Sequence, residues 1–150
     1  MPMMDEAALT AFLARDFAQV ADQFAVEAVG EMTARIRLKV AEQHLRPGGT
    51  VSGPAMFALA DVAVYLAILA QVGPRALAVT TSCAIDFMRR PASGVDLIGA
   101  CRILKLGRIL AVGDCLIFQD GLEAPVARAS LTYSLPPESA SSPSSSPANG

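Results

Sequence analysis

One carboxylate stands in the middle of the most apolar stretch of this 150-residue chain. Between Ala55 and Ala70 nearly every side chain is apolar, and the exceptions are Asp61 and Tyr65. Set one helical turn apart, these two share a face. An ionised carboxylate buried without partners is very costly. Asp61 must therefore accept hydrogen bonds, take up a proton, or face a cleft that admits water and ligand. One outcome is a structural carboxylate bonded to backbone N–H groups of a neighbouring segment. The other is a site carboxylate with a tuned pKa, able to take a proton from water or to attack an electrophilic carbon itself.

The residues just upstream add to this chemistry. Arg46-Pro47-Gly48-Gly49 is a turn-rich loop. Ser52 is a suitable N-cap, and Pro54 suits a first helical turn because its missing N–H would be unbonded there anyway. The N–H groups left open at such a helix start, Gly53 among them, attract developing negative charge. Arg46, Arg89 and Arg90 are candidates for phosphate or carboxylate contacts, or are solvated surface arginines. His44, the single histidine, is either an acid/base group or a loop residue. One histidine rules out a metal site built of several. Cys83, Cys101 and Cys115 lack metal-ligand spacing and are expected to be buried free thiols.

The elements that must position these residues follow from the pattern. Residues 1 to about 22 are predicted to form an amphipathic helical segment, with Leu9, Leu13 and Phe17 at spacing four and Phe12 and Val20 on the same face. Phe24 to Gly30 is a short strand. From Met32 to Val40 the chain alternates: Met32, Ala34, Ile36, Leu38 and Val40 point one way, Thr33, Arg35, Arg37 and Lys39 the other. Gly30-Glu31 suits the hairpin between these strands. The apolar run after Ser52 is a long helix buried on most sides, stopped by Gly73-Pro74. Strands are predicted over Ala76 to Phe87, Val95 to Leu106, Arg108 to Gln119 and Leu122 to Leu135. Asp120-Gly121 is a type I′ hairpin signal, and Pro125 marks an edge or bulge. These last four strands are expected to form a meander. The fold class is therefore α+β: a strongly curved antiparallel sheet wrapped around one central helix.

Composition narrows the function classes. The length suits one domain, and 53% apolar residues provide a sizeable core. A net charge of -2 without a basic run argues against nucleic acid as a partner. Residues 54–72 have the length of a membrane span, but Asp61 near the middle would cost roughly 3 kcal/mol, so a core helix is expected and no membrane. Asp5 and Glu6 do not fit a secretory signal, which gives a cytoplasmic expectation. Residues 137–150, rich in Ser and Pro, are expected to be a disordered tail.

The element order, together with residues 44–61, resembles the hotdog fold, and most of all the PaaI-type branch of its acyl-CoA thioesterases. The resemblance covers roughly residues 20–136 and rests on His44, Gly49, Gly53, Leu59-Ala60-Asp61 and the strand end Phe87 to Pro91. It departs from the family pattern where Arg46 replaces an Asn, Ser52 a His and Pro54 the second of two glycines. It implies a hotdog domain over 23–136 and an acyl-CoA substrate whose CoA is the only cofactor-like group. It further implies Asp61 as base or nucleophile, and a backbone N–H at Gly53, or at Ala55, that polarises the thioester carbonyl. Arg46, Ser52, Pro54, Tyr65, Arg89 and Arg90 would line the substrate site.

Gly53 and Asp61 are eight residues apart, about 12 Å along a helix. A carbonyl-polarising donor and a base must both reach one reacting group, within about 3 Å. One helix cannot supply both, so a catalyst of this kind needs two chains related by a two-fold axis. A homodimer or homotetramer is expected. Two other functions fit the same fold class: a hotdog dehydratase or hydratase pairing His44 with Asp61, and an acyl-CoA-binding protein without turnover.

Overall fold

The computed structural model describes residues 1–137. The expected tail lies, past Pro137, outside the described residues. A helix α1 (Glu6–Asp16) is followed by strands β1 (Phe24–Gly30) and β2 (Thr33–Leu38), the long helix α2 (Gly53–Val72), and strands β3 (Val79–Phe87), β4 (Leu97–Leu106), β5 (Leu110–Gln119) and β6 (Pro125–Ser134). The six strands form one antiparallel sheet in the order β1-β2-β4-β5-β6-β3. This is the hotdog architecture: a curved sheet around a single central helix.

The sheet order corrects one expectation. β4, β5 and β6 form a meander, but β3 does not join it at β4. After α2 the chain crosses to the far edge and pairs with β6, Thr80 opposite Tyr133 and Phe87 opposite Ala127. α2 separates β2 from β3, so β2 is free to pair with β4. Among the described residues β3 is left with one hydrogen-bonded neighbour and one open side.

Helix α2 is the core. From Leu59 to Ala70 the helix is buried apart from Asp61, and inward residues of the sheet, such as Ile36, Leu97, Ile117 and Leu131, close over it at 0–1% exposure. The approach is close because the sheet uses glycine beneath the helix. A Cβ at Gly99 would lie 3.2–3.4 Å from Cys115 Sγ, Leu59 Cγ and Ala63 Cβ. Ser52 caps the helix by accepting the Ala55 N–H at 3.2 Å. At the other end Gly73, with φ 97°, returns its N–H to Leu69.

Local differences from the sequence expectations have simple causes. In the β1–β2 hairpin the left-handed residue is Met32, φ 58°, not Gly30; Gly30 is required because a Cβ there would meet Thr33 Oγ1 at 2.7 Å. The turn at Asp120-Gly121 has Gly121 at φ 87°, but β6 begins only at Pro125, so the connection is longer than a two-residue hairpin. Pro125 opposes Phe118 at a register shift, as its missing N–H requires. Cys101 and Cys115 are buried and face each other across β4 and β5, while Cys83 is half-buried; all three are free thiols.

Candidate active site

Asp61 is half-buried on the face of α2 that looks towards β3 and β6. Its Oδ1 accepts a hydrogen bond from Thr80 Oγ1 at 2.5 Å and another from Tyr133 Oη at 2.6 Å. Tyr133 Oη also lies 2.8 Å from the main-chain oxygen of Asp61. The carboxylate is thus held by hydroxyls, not by the backbone N–H groups that a purely structural carboxylate was expected to find. Among the described residues no donor meets Oδ2.

This carboxylate borders a cleft of about 430 Å³ lined by Asp16, Phe17, Gln19, Val62, Tyr65, Ala76, Ala78, Val79, Thr80 and Tyr133. The end of α1 and the loop after it form one wall. Tyr65 stacks on Tyr133 with centroids 6.1 Å apart and meets the edge of Phe17 at the same distance. Its hydroxyl donates to the Ala76 carbonyl at 3.1 Å, so Tyr65 offers the cleft a ring rather than a polar tip. Burial, with the Asp16 charge, raises its pKa to about 12.

The other sequence-predicted residues gather at a second place, the start of α2. A cleft of about 370 Å³ is lined by Arg46, Thr50, Val51, Gly53, Met56, Phe87, Met88, Arg89, Arg90 and Pro91. Arg46 and Arg90 are exposed and form no ion pair among the described residues; Arg89 donates Nη1 to the Pro125 carbonyl at 2.5 Å. At the helix start the donors are accounted for. Pro54 has no N–H, and the Ala55 N–H is taken by Ser52. The Gly53 N–H has no acceptor among the described residues. The Phe87 ring lies 3.3 Å from where a Cβ on Gly53 would be, so glycine keeps this N–H approachable. Ser52 is occupied as the cap, and Pro54 is exposed beside it.

His44 belongs to neither cleft. It is 6% exposed. Its Nδ1 accepts the Ala41 N–H at 2.8 Å, which makes the neutral ring a donor at Nε2, 2.9 Å from Gln23 Oε1. With both nitrogens engaged it holds the loop before α2, and it makes no contact with Asp61. Among the described residues no group of three or more His, Cys, Asp or Glu could hold a metal ion.

The model of the thioesterase superfamily matches residues 48–125, which span the helix start, all of α2 and strands β3, β4 and β5. A structure from a Silicibacter species, described as a candidate thioesterase, is 55% identical, covers 91% of this chain and 95% of that one, and superposes with a TM-score of 0.85. The chain belongs to the thioesterase superfamily. It is a hotdog-fold thioester hydrolase. This thioesterase is also similar to a mutant form of the phenylacetic acid degradation protein PaaI from Thermus thermophilus: 26% identity, 79% and 98% of the two chains, TM-score 0.68. A Streptococcus mutans structure bound to acetyl CoA shares its fold at 22% identity, 76% and 89% coverage and TM-score 0.67. Among curated proteins, none matches the chain.

Two residues at the carboxylate of this thioesterase went unnoticed in the sequence, Thr80 and Tyr133. A usable signal existed for Tyr133. Ala127, Ala129, Leu131 and Tyr133 alternate along β6 and point inward. A buried tyrosine there needs a partner for its hydroxyl, and α2 offers one carboxylate on that face, Asp61.

Proposed function

We propose that this thioesterase hydrolyses acyl-CoA esters to a free acid and CoA at sites shared between two chains. The observation that carries the proposal is where the two halves of the chemistry sit along β3. Asp61 is bonded to Thr80 near one end of β3, and Gly53 packs against Phe87 at the other end. Among the described residues β3 is an edge strand with its outer side open, and it exposes Val79 and Phe87 at 55% and 52%. Such an edge is a ready pairing surface for another strand. Antiparallel pairing of β3 with its own copy about Cys83-Ala84 sets Thr80 of one chain opposite the partner subunit's Phe87. The open Gly53 N–H of one protomer then faces the Asp61 carboxylate of the other, and the two-fold axis creates two equivalent sites.

In each site the Gly53 N–H, at the positive end of α2, polarises the thioester carbonyl and holds the oxyanion. Asp61 takes the proton of an attacking water, or adds to the acyl carbon directly before water releases the acid. The carbon–sulfur bond breaks, and the thiolate of CoA leaves and is protonated. Arg46, Arg89 and Arg90 surround the Gly53 end, where they suit the phosphates of CoA. The apolar and aromatic cleft beside Asp61 suits the acyl chain. The acetyl CoA bound to the Streptococcus mutans relative supports this substrate class. The dehydratase alternative loses its support, because both ring nitrogens of His44 are engaged elsewhere.

The test is thiol release from a panel of acyl-CoA esters by the purified protein and by Asp61→Asn. Turnover by the wild type and a loss of at least about a hundred-fold in the folded variant are expected, on the scale of a general base. Acyl-CoA binding without thiol release would make it a carrier instead. Full activity in Asp61→Asn would remove the assigned base.

A further inference from the structure

We propose that Tyr133 is the positioning residue of this site: with Thr80 it fixes one oxygen of Asp61, Oδ1, and so leaves Oδ2 as the oxygen that meets water or the acyl carbon. This rests on the assignment of Asp61 as base or nucleophile.

The geometry is specific. Both hydroxyls converge on Oδ1, at 2.5 and 2.6 Å, and no donor among the described residues reaches Oδ2. A carboxylate oxygen that accepts two short hydrogen bonds has its lone pairs committed, and the charge-assisted bonds are the strong ones. The oxygen without a donor keeps its lone pairs for chemistry. Tyr133 does more than satisfy a charge, because its Oη also sits 2.8 Å from the main-chain oxygen of the same residue. One hydroxyl therefore spans side chain and backbone of Asp61 and restrains the carboxylate relative to its own helix.

The hydroxyl is itself enclosed. Tyr133 is 2% exposed. It lies opposite Thr80 in the β3–β6 ladder, so the two donors are set by one strand pair. Its ring stacks on Tyr65 at an interplanar angle of 25°, and Tyr65 is anchored in turn to Ala76. Burial and the neighbouring Asp61 charge push the Tyr133 pKa far above the ordinary tyrosine range. The group therefore stays a donor at neutral and mildly alkaline pH.

A buried tyrosine that merely borrows Asp61 as a hydrogen-bond partner would look similar, and turnover separates the two roles. In Tyr133→Phe the shape is kept and only Oη is lost. The expected result is a fall in kcat of about ten- to a hundred-fold, the range for a hydrogen bond to a charged group, while KM for the acyl-CoA stays within about two-fold. In an Asp61→Asn background the same substitution should change residual turnover by less than about two-fold, because residues that act as a unit are not additive. A folded Tyr133→Phe enzyme with wild-type kcat, or the same fractional loss in both backgrounds, would overturn the proposal. Turnover retained in Asp61→Asn would instead overturn the assignment on which it rests. Should the Phe variant not fold, 3-fluoro- and 3,5-difluorotyrosine at position 133 alter donor strength with little change of shape. A graded change in kcat at constant KM is expected, and a flat kcat would contradict it.

Discussion

His44 is the residue whose chemistry and structure diverge most. As the only histidine it invites a catalytic role, yet its ring is a bracket between the Ala41 N–H and the Gln23 amide. Burial lowers its pKa below the ordinary 6.5, so the folded protein holds it neutral. The unfolded chain then takes up the proton first as pH falls. The stability linked to His44 is fully present above about pH 6.5 and is lost as pH drops below that value towards the lower folded pKa. Urea midpoints measured between pH 7.5 and 5 should fall for the wild type and fall less steeply for His44→Gln. Parallel curves would show that the ring does not titrate differently on folding. Asp61 was legible as a residue in the sequence, because one carboxylate in a helix of Ala, Leu and Val has few innocuous explanations. Its partners were not. Thr80 and Tyr133 meet it only because β3 pairs with β6, a pairing that sets these two residues opposite each other although they are distant in the chain.

At the scale of elements, the period-two alternation of β2 and the unbroken apolar run of α2 are strong local signals, and both elements form where the pattern put them. Sheet order is a different kind of information. An edge strand such as β3 has no local signature that names its neighbour, so a meander and a crossover read alike. The close seating of α2 on the sheet is likewise a pairwise property. Gly99 looks like a weak point in a strand until Leu59 and Ala63 are set 3.3–3.4 Å from its missing Cβ. Gly99→Val should therefore lift the helix or push β4 outward and destabilise the fold by about 1–3 kcal/mol or more, as overpacked cores do. Chemical denaturation checks this, and an unchanged midpoint would mean that helix and sheet are less tightly coupled than the geometry implies.

For the whole molecule, the proposal turns on Asp61 and Gly53, the two candidate halves of the site, which one protomer places at opposite ends of β3. Asp61, with Thr80 and Tyr133, borders a cleft walled by Phe17, Val62 and Tyr65; Gly53 borders another that includes Arg46, Arg89 and Arg90. In the proposed dimer, a two-fold pairing of β3 edges joins them. The proposed pairing also covers a surface in which Val79, Phe87 and Met88 lie exposed along or just beyond this edge strand. A mixed dimer tests this claim most directly. One chain carries Asp61→Asn. The other carries Gly53→Pro, which removes the N–H at a position where Ser52 is already extended, at φ -76° and ψ 159°, as a residue before proline must be. Each parent homodimer should be inactive. A heterodimer isolated through two different tags has one site with both lesions and one with neither, so about half of the wild-type thiol release should return. A confirmed heterodimer that stays as inactive as its parents would contradict the shared site.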